Sequence, residues 1–225
     1  MANPYYSRQL QIQSVKPVDR TCFLDFLLRR LTCHSNATYT LERIRVANIV
    51  PLTRYVYERR IETAERLIDL YGAHCIGLFE PILVRYEQDL VQLVSPPIIE
   101  RRQSQLVLCD GTHRVFSVRR RECEGIIAVA VDGVTVPLPG VVNQWGFVER
   151  QSVQKPASEN FICFNPEGLT GYTKVFNGPN VWLAGASSTL TDNEILSRML
   201  SLKQCKRNDN IASEQRPLNV KDSVN

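Results

Sequence analysis

The sequence lacks the segments that mark secreted chains and chains that span membranes. Its first residues, Met1 to Tyr6, contain no basic stretch followed by an apolar one, so we expect no secretory signal peptide. No apolar run reaches about 18 residues, the length at which a membrane-spanning helix is inferred. We therefore expect a cytoplasmic protein with no membrane partner.

A disulfide framework and a cysteine metal motif are also missing. The seven cysteines are scattered along the chain, and none forms a Cys-x-x-Cys pair. An odd number of cysteines without a secretory signal is typical of reduced thiols. His34 and His74 each lie next to a cysteine, but their spacing matches no zinc pattern. No internal repeat is present, so we expect an ordinary globular chain.

The composition is that of a globular protein with a mildly basic surface. The chain has 225 residues, of which 44% are hydrophobic and 22% charged, and its formal net charge is +4. This length suits one large domain or one domain with an appendage. A net charge this small is weak support for nucleic-acid binding by itself.

Hydrophobic periodicity predicts alternating helices and strands, and hence an α/β (α+β) fold. We expect an N-terminal helical extension over 1–40, a compact domain over 41–140, a C-terminal subdomain with a final helix over 141–205, and a disordered tail over 206–225. Strands are predicted at 44–50, 98–99, 105–109 and 126–131, and helices at 21–31, 64–72, 77–94, 112–121 and from Thr191 onward. The stretch from Thr53 to Arg60 is predicted to be a polar connection.

The most informative local pattern is Asp110-Gly111-Thr112-His113-Arg114, which joins an apolar strand to a helix. A helix N-terminus offers unpaired backbone N–H groups and about half a positive charge. Gly111 lets the backbone approach closely, Thr112 and His113 add donors, and Arg114 adds a planar fork suited to phosphate or carboxylate. We therefore expect this turn to bind an anion, with Asp110 facing it.

Several segments together resemble the ParB/sulfiredoxin-like superfamily. The resemblance is carried by Pro97–Glu100, Leu106–Arg114 and Ile126–Val131, with support from Asn48–Pro51 and the helix Thr63–Tyr71. It covers about residues 44–140. It implies a compact domain with a small mixed sheet and flanking helices that binds a nucleotide at the strand-to-helix turn.

Three branches of that superfamily differ at the turn. Sulfiredoxins carry a reactive cysteine where this chain has Thr112, which excludes thiol chemistry at that position. ParB proteins bind CTP through a Gly-Glu-Arg-Arg turn followed by a helix-turn-helix domain, whereas this chain has His-Arg and no convincing helix pair after Gly140. Free-serine kinases use Asp-Gly-His-His-Arg, from which this chain departs at one position. They pass phosphate from ADP or ATP to a free amino acid.

The closest branch implies a small-molecule kinase with assignable roles. Gly111, Thr112, His113 and Arg114 would bind the phosphates of ADP or ATP, with CTP as an alternative. Asp110 would bind Mg²⁺ or orient the acceptor hydroxyl group, because oxygen ligands suit that ion. Glu58 resembles the general base that takes the hydroxyl proton.

Other assignments stay open at this stage. Glu62 is the second candidate for the base. The first alternative function is a ParB-like regulator that binds a nucleotide and uses its basic surface on DNA, and the second is a degenerate member that binds only protein. The run 119–121 could contact nucleic acid or simply end a helix in solvent, and Trp145 could close over a ligand or pack in the core.

Overall fold

The structure is a computed structural model that describes residues 11–28, 37–87, 90–169 and 181–183. It shows a mixed α+β fold, which confirms the predicted fold class. The helices are α1 (Arg20–Leu28), α2 (Glu58–Ala73), α3 (Thr112–Arg120) and α4 (Ala157–Asn160). The strands are β1 (Ile12–Pro17), β2 (Thr38–Arg45), β3 (Ile49–Pro51), β4 (Tyr55–Tyr57), β5 (Ile82–Tyr86), β6 (Val91–Val94), β7 (Ile98–Arg102), β8 (Gln105–Asp110), β9 (Gly125–Asp132), β10 (Glu149–Gln151) and β11 (Val181–Leu183). The helix predicted from Thr191 and the tail 206–225 lie outside the described residues.

A mixed five-stranded sheet in the order β2-β9-β7-β8-β3 carries the candidate site. β7 is parallel to β9 and β3 is parallel to β8, while the other neighbours are antiparallel. A four-stranded antiparallel sheet, β1-β5-β6-β11, and a two-stranded parallel pair, β4 with β10, complete the described strands. The predicted strands at 98–99, 105–109 and 126–131 correspond to β7, β8 and β9.

Apolar burial attaches the helices to the sheets in two large clusters. One cluster brings Phe23, Phe26 and Leu27 of α1 against Leu83 of β5 and Val129 of β9. The stretch predicted as an N-terminal extension thus contributes directly to the core, and β1 pairs with β5.

The second cluster packs α2 and α3 on the five-stranded sheet. Ile68 and Tyr71 of α2 share it with Val115 and Val118 of α3, and all four side chains are buried. Both helices are therefore fixed against the same sheet face and against each other.

The helix predicted over 77–94 is wrong, because this segment forms the antiparallel strands β5 and β6. Ile82, Leu83 and Val84 are all buried, so the strand is covered on both faces and its apolar residues do not alternate. A short continuous apolar run fits a buried strand as well as a buried helix, which explains the error.

Two boundaries also differ from the prediction. The strand expected at 44–50 is interrupted by a 3-10 turn at Val46–Asn48, which separates β2 from β3. The polar connection expected at 53–60 instead contains β4 and the first turn of α2. The second difference matters for function, because it places Glu58 at the beginning of a helix.

Two expectations about cysteines and membranes can be compared with the described residues. Cys22, Cys75, Cys109, Cys123 and Cys163 are free thiols there. Within the same ranges, no helix has the length and apolar content needed to cross a bilayer.

Truncating Phe23 tests whether α1 belongs to the core. Phe23 is fully buried, so F23A should lower the free energy of unfolding by about 3–5 kcal/mol through lost burial and a residual cavity. Urea unfolding measures this change. D25A alters an exposed position on the same helix and should change stability by less than about 0.5 kcal/mol. A loss below about 1 kcal/mol for F23A would show that α1 adds little to the fold.

Candidate anion-binding site

Two strand-to-helix junctions form the candidate site. β8 ends at Asp110 and α3 begins at Thr112, while β4 ends at Tyr57 and α2 begins directly at Glu58. The N-cap residues, Tyr57 of α2 and Gly111 of α3, make no side-chain cap hydrogen bond. The first-turn N–H groups of a helix have no partner within the helix, so both junctions present donors for an anion.

The two helices run parallel, so their N-termini lie at the same edge of the molecule. At one end, the rings of Tyr57 and His113 are 5.6 Å apart between centroids. At the other end, Arg120 Nη1 of α3 lies 3.3 Å from Glu65 Oε1 of α2. The positive ends of the two helix dipoles therefore reinforce each other beside Asp110.

Gly111 is required by the geometry of the turn. Its φ is +90°, a left-handed conformation that residues with a Cβ adopt only at a cost. A Cβ at this position would lie 2.9 Å from Cβ of Pro97 and 3.0 Å from Nη2 of Arg114. Glycine is thus required here by the backbone conformation and by the packing against Pro97 and Arg114, while close approach of this backbone to an anion stays a prediction.

Arg114 is engaged by its own chain. Its guanidinium donates hydrogen bonds to the carbonyl oxygen of Ser95 and, at 3.3 Å, to Oδ2 of Asp110. The same group lies 5.7 Å from the ring centroid of Phe79, and the side chain is only 12% exposed. Arg114 therefore orients the Asp110 carboxylate, and direct contact of its fork with a phosphate stays a prediction.

His113 is held neutral beside these cations. Burial, followed by the positive charges of Arg60 and Arg114, lowers the pKa of His113 to about 3. Its Nε2 atom is buried and has no hydrogen-bond partner in the part of the chain that the structure describes. Thr112, the other predicted donor of the turn, is buried as well.

The two candidate bases lie on α2 at the same end as the turn. Glu58 is the first residue of the helix and follows Tyr57, whose ring contacts His113. Glu62 lies one turn further along, and both side chains are exposed. The structure thus brings Glu58 to the edge that carries the Asp110–Arg114 turn, although the two are about 50 residues apart in sequence.

Tyr57 and Arg60 lie at the candidate site and are not among the site residues predicted from the sequence. The Arg60 guanidinium carbon lies 5.8 Å from the Tyr57 ring centroid, and the Arg60 side chain is exposed. The backbone N–H of Lys155 donates to the Tyr57 hydroxyl at 3.3 Å, so the segment after β10 borders the same place. Two consecutive arginines, 59 and 60, would have been a signal had the helix start been placed at Glu58.

The predicted magnesium role of Asp110 involves a single carboxylate. The described residues contain no group of three or more His, Cys, Asp or Glu side chains that could hold a metal ion. Protein-bound Mg²⁺ commonly takes one or two carboxylates together with substrate phosphates. Asp110, 26% exposed and oriented by Arg114, fits that arrangement when the ion arrives with a nucleotide.

Trp145 packs beside α3. Its Nε1 donates to the carbonyl oxygen of Ile49 at 2.7 Å, and its ring lies 6.4 Å from that of Phe116. The Arg119 guanidinium carbon is 5.3 Å from the Trp145 ring centroid. Two roles were left open for Trp145, closing over a ligand and packing in the core, and these contacts support packing.

The arginine run 119–121 is also occupied by internal contacts. Arg119 donates to the carbonyl oxygen of Val46 at 3.3 Å. Arg120 pairs with Glu65, and Arg121 pairs with Asp69. These contacts secure the C-terminal end of α3 and reduce the charge that the run would offer to DNA.

A separate cleft lies at the opposite end of β8. It has a volume of about 630 Å³ and is lined by the β7–β8 hairpin and the loop 133–142. Arg101 at its rim pairs with Glu42 and Asp132, and Arg102 pairs with Glu100. Both arginines at its rim are thus engaged in ion pairs, and its lining includes no helix N-terminus, so we keep the junction beside Asp110 as the candidate anion site.

Comparisons with protein-family models, with curated proteins and with solved structures found no match to this chain. The resemblance to ParB/sulfiredoxin-like proteins therefore stays a prediction.

Substituting Gly111 tests the strained turn. G111A should lower the free energy of unfolding by about 1–2 kcal/mol from the left-handed conformation alone, and more from the contact with Pro97. Chemical denaturation measures the loss. G72A is the control, because a Cβ at Gly72 meets no atom within 4 Å and alanine favours the helix by up to about 1 kcal/mol. Equal effects of the two substitutions would contradict the geometry of the turn.

The pKa of His113 predicts a pH dependence of stability. The unfolded chain binds a proton at His113 near pH 6.5 and the folded chain only near pH 3, so protonation favours unfolding between these values. The His113 contribution is fully present above pH 6.5 and is lost as pH falls, by up to about 1.4 kcal/mol per pH unit. Unfolding free energies of wild type and H113Q, measured from pH 7 to 4.5, should diverge in slope. Parallel slopes would show that His113 titrates near its ordinary value.

Proposed function

We propose that the chain is a nucleotide-dependent phosphotransferase that resembles the free-serine kinases. It passes a phosphoryl group from ADP or ATP to a small acceptor that carries a hydroxyl group. The observation that most supports this function is the side-by-side placement of two uncapped helix N-termini next to Asp110 and Glu58. Phosphoryl transfer needs positioning and charge neutralisation above all, and this edge offers both.

The donor phosphates would bind at the turn from Gly111 to Arg114. First-turn N–H groups of α3 donate to phosphate oxygens, and the left-handed Gly111 lets the backbone approach them. Asp110, held by Arg114, would take a Mg²⁺ ion that accompanies the nucleotide, and that ion would neutralise charge on the transferred phosphoryl group.

Glu58 would act as the general base. Its carboxylate takes the proton of the acceptor hydroxyl group, whose oxygen forms a bond to the terminal phosphorus. The bond between that phosphorus and the nucleotide oxygen breaks, which releases AMP from ADP or ADP from ATP. Because Glu58 is exposed at the start of α2, it is accessible to an acceptor that enters from solvent.

The alternative, a ParB-like regulator that binds DNA, would use the same nucleotide site. Its DNA contacts would need cations available to phosphates, and Arg119, Arg120 and Arg121 are engaged within the chain. Steep salt dependence of DNA binding would identify this alternative, because each neutralised phosphate adds close to one unit of log–log slope. The position of Glu58 favours the phosphotransferase.

Replacing Glu58 tests the proposed chemistry. E58Q should reduce AMP release from ADP by about 10²–10⁴-fold, the usual contribution of a positioned base. Free serine and a panel of small hydroxy acids serve as acceptors, and liquid chromatography quantifies AMP. The affinity for ADP should change little, because Glu58 does not hold the phosphates.

E62Q is the matched control, since Glu62 is an exposed glutamate one turn away on the same helix. It should retain turnover. Thermal shifts with ADP, ATP or CTP and Mg²⁺ establish binding first, because a ligand at 100 times its dissociation constant adds about 2.7 kcal/mol. If no nucleotide stabilises the protein, the proposed function is wrong. If E62Q and not E58Q is inactive, the base is Glu62 and the assignment to Glu58 is wrong.

A further inference from the structure

We propose that Arg60 is the side chain that binds the terminal phosphate of the nucleotide, and that Arg114 is a positioning residue for Asp110. This inference rests on the proposed function and assigns a different role to each of the two arginines. The resemblance at the turn implies the opposite assignment, with Arg114 on the phosphates.

Arg60 lies where a cation is electrostatically unfavourable without an anion. It is the third residue of α2, in the turn where the helix dipole presents its positive end. Positive charge there is opposed by the dipole, and the N-terminus of α3 adds a second positive end beside it. After burial, the charge of Arg60 is the largest cause of the low pKa of His113, in keeping with the position of Arg60 beside the turn. An anionic ligand would relieve this concentration of positive charge.

No carboxylate in the described part of the chain forms an ion pair with Arg60. Thr63 and Ala64, the neighbours one turn further along the helix, carry no charge. The guanidinium instead lies near the Tyr57 ring, with 5.8 Å between the Arg60 Cζ atom and the ring centroid. Contact with an aromatic face positions the group and leaves its N–H edge available to a phosphate.

Arg114 has the opposite surroundings. Its N–H groups donate to Ser95 and Asp110, its guanidinium lies against Phe79, and it is 12% exposed. Turning this fork toward a phosphate would break the contact that orients Asp110. Arg60 is therefore exposed and makes no ion pair in the described part of the chain, whereas Arg114 is 12% exposed and pairs with Asp110.

The test measures ADP and AMP affinities of wild type, R60A, R60K and R66A by isothermal titration calorimetry with Mg²⁺. R60A should weaken ADP binding by about 10- to 100-fold, as expected for lost hydrogen bonds between charged groups. It should weaken AMP binding much less, because AMP lacks the terminal phosphate. R60K keeps the charge without the planar fork and should fall in between.

R66A is the matched control, because it removes an exposed arginine of the same helix about two turns from the N-terminus. Its ADP affinity should stay within about twofold of wild type, as expected for an arginine that makes no ligand contact. If ADP binds wild type and R60A equally well, the assignment to Arg60 is wrong and the proposed function stands. If wild type binds no nucleotide, the proposed function and this inference are both wrong.

NMR of the His113 imidazole gives a readout that is independent of affinity. Without ligand, R60A should raise the pKa of His113 because it removes a neighbouring positive charge, and R66A should leave it unchanged. ADP should also raise this pKa in wild type, and by less in R60A. An unchanged His113 pKa in R60A would overturn the placement of Arg60 beside the turn.

R114K tests the positioning role. Lysine keeps the positive charge, but its ammonium group lacks the planar set of donors with which Arg114 binds both Ser95 and Asp110. The variant should lower turnover and raise the Mg²⁺ concentration needed for half-maximal rate. Its ADP affinity without Mg²⁺ should stay within about threefold of wild type, because lysine keeps the positive charge at position 114 and the guanidinium does not bind the phosphates. A loss of Mg²⁺-free ADP affinity as large as that of R60A would overturn the positioning role.

Discussion

The parallel packing of α2 against α3 is the constraint on which the candidate site depends. It places two positive helix ends together, an arrangement that electrostatics alone opposes. Burial of Ile68, Tyr71, Val115 and Val118 against the sheet offsets this repulsion, because each buried apolar side chain contributes about 1.5–3 kcal/mol. The exposed ion pairs near the far end of α3 contribute less. The core thus maintains a positive edge that an isolated helix pair would not adopt.

The residues at this edge depart from local structural rules in a correlated way. Gly111 takes a left-handed conformation, the Nε2 atom of His113 is buried with no partner among the described residues, and Arg60 is a cation at a helix start. The unpartnered nitrogen of His113 and the cation at a helix start cost free energy in the unliganded chain, and natural chains concentrate such departures at functional sites. An anion would interact favourably with all three groups, which is why we regard them as one site.

Sequence alone predicted the part of the site that is local. The apolar strand, the Asp-Gly turn and the helix that follows are contiguous, so their pattern predicted β8, Gly111 and α3 correctly. Strands β5 and β6 were missed because their apolar residues fit the pattern of a buried helix as well as that of a buried strand. Strand β4 has three residues, which are too few to show a periodicity. Because this strand was not predicted, the helix was expected to begin at residue 64, after Arg60.

The contacts of Arg114 could not be predicted from the sequence, because its partners are distant along the chain. Ser95, its carbonyl partner, lies 19 residues away on the other side of the β7–β8 hairpin, and Phe79 is more distant still. The five-residue turn by itself suggests that Arg114 faces a ligand. Only the tertiary structure shows that the guanidinium is committed to the chain and that a second arginine, from another helix, lies nearby without an acid.

The position of Glu58 on a separate helix favours the proposed phosphotransferase over a protein that only binds a nucleotide. A protein that merely held a nucleotide would need only the turn from Gly111 to Arg114 and the N-terminus of α3. A phosphotransferase must also place a base on the acceptor side, and that base cannot come from the turn itself, whose donors face the phosphates. The packing of α2 against α3 supplies such a carboxylate from the other junction. Because one interface sets both the candidate anion-binding edge and the position of Glu58, a shift of α2 along α3 would, in the proposed phosphotransferase, change phosphate binding and proton transfer together.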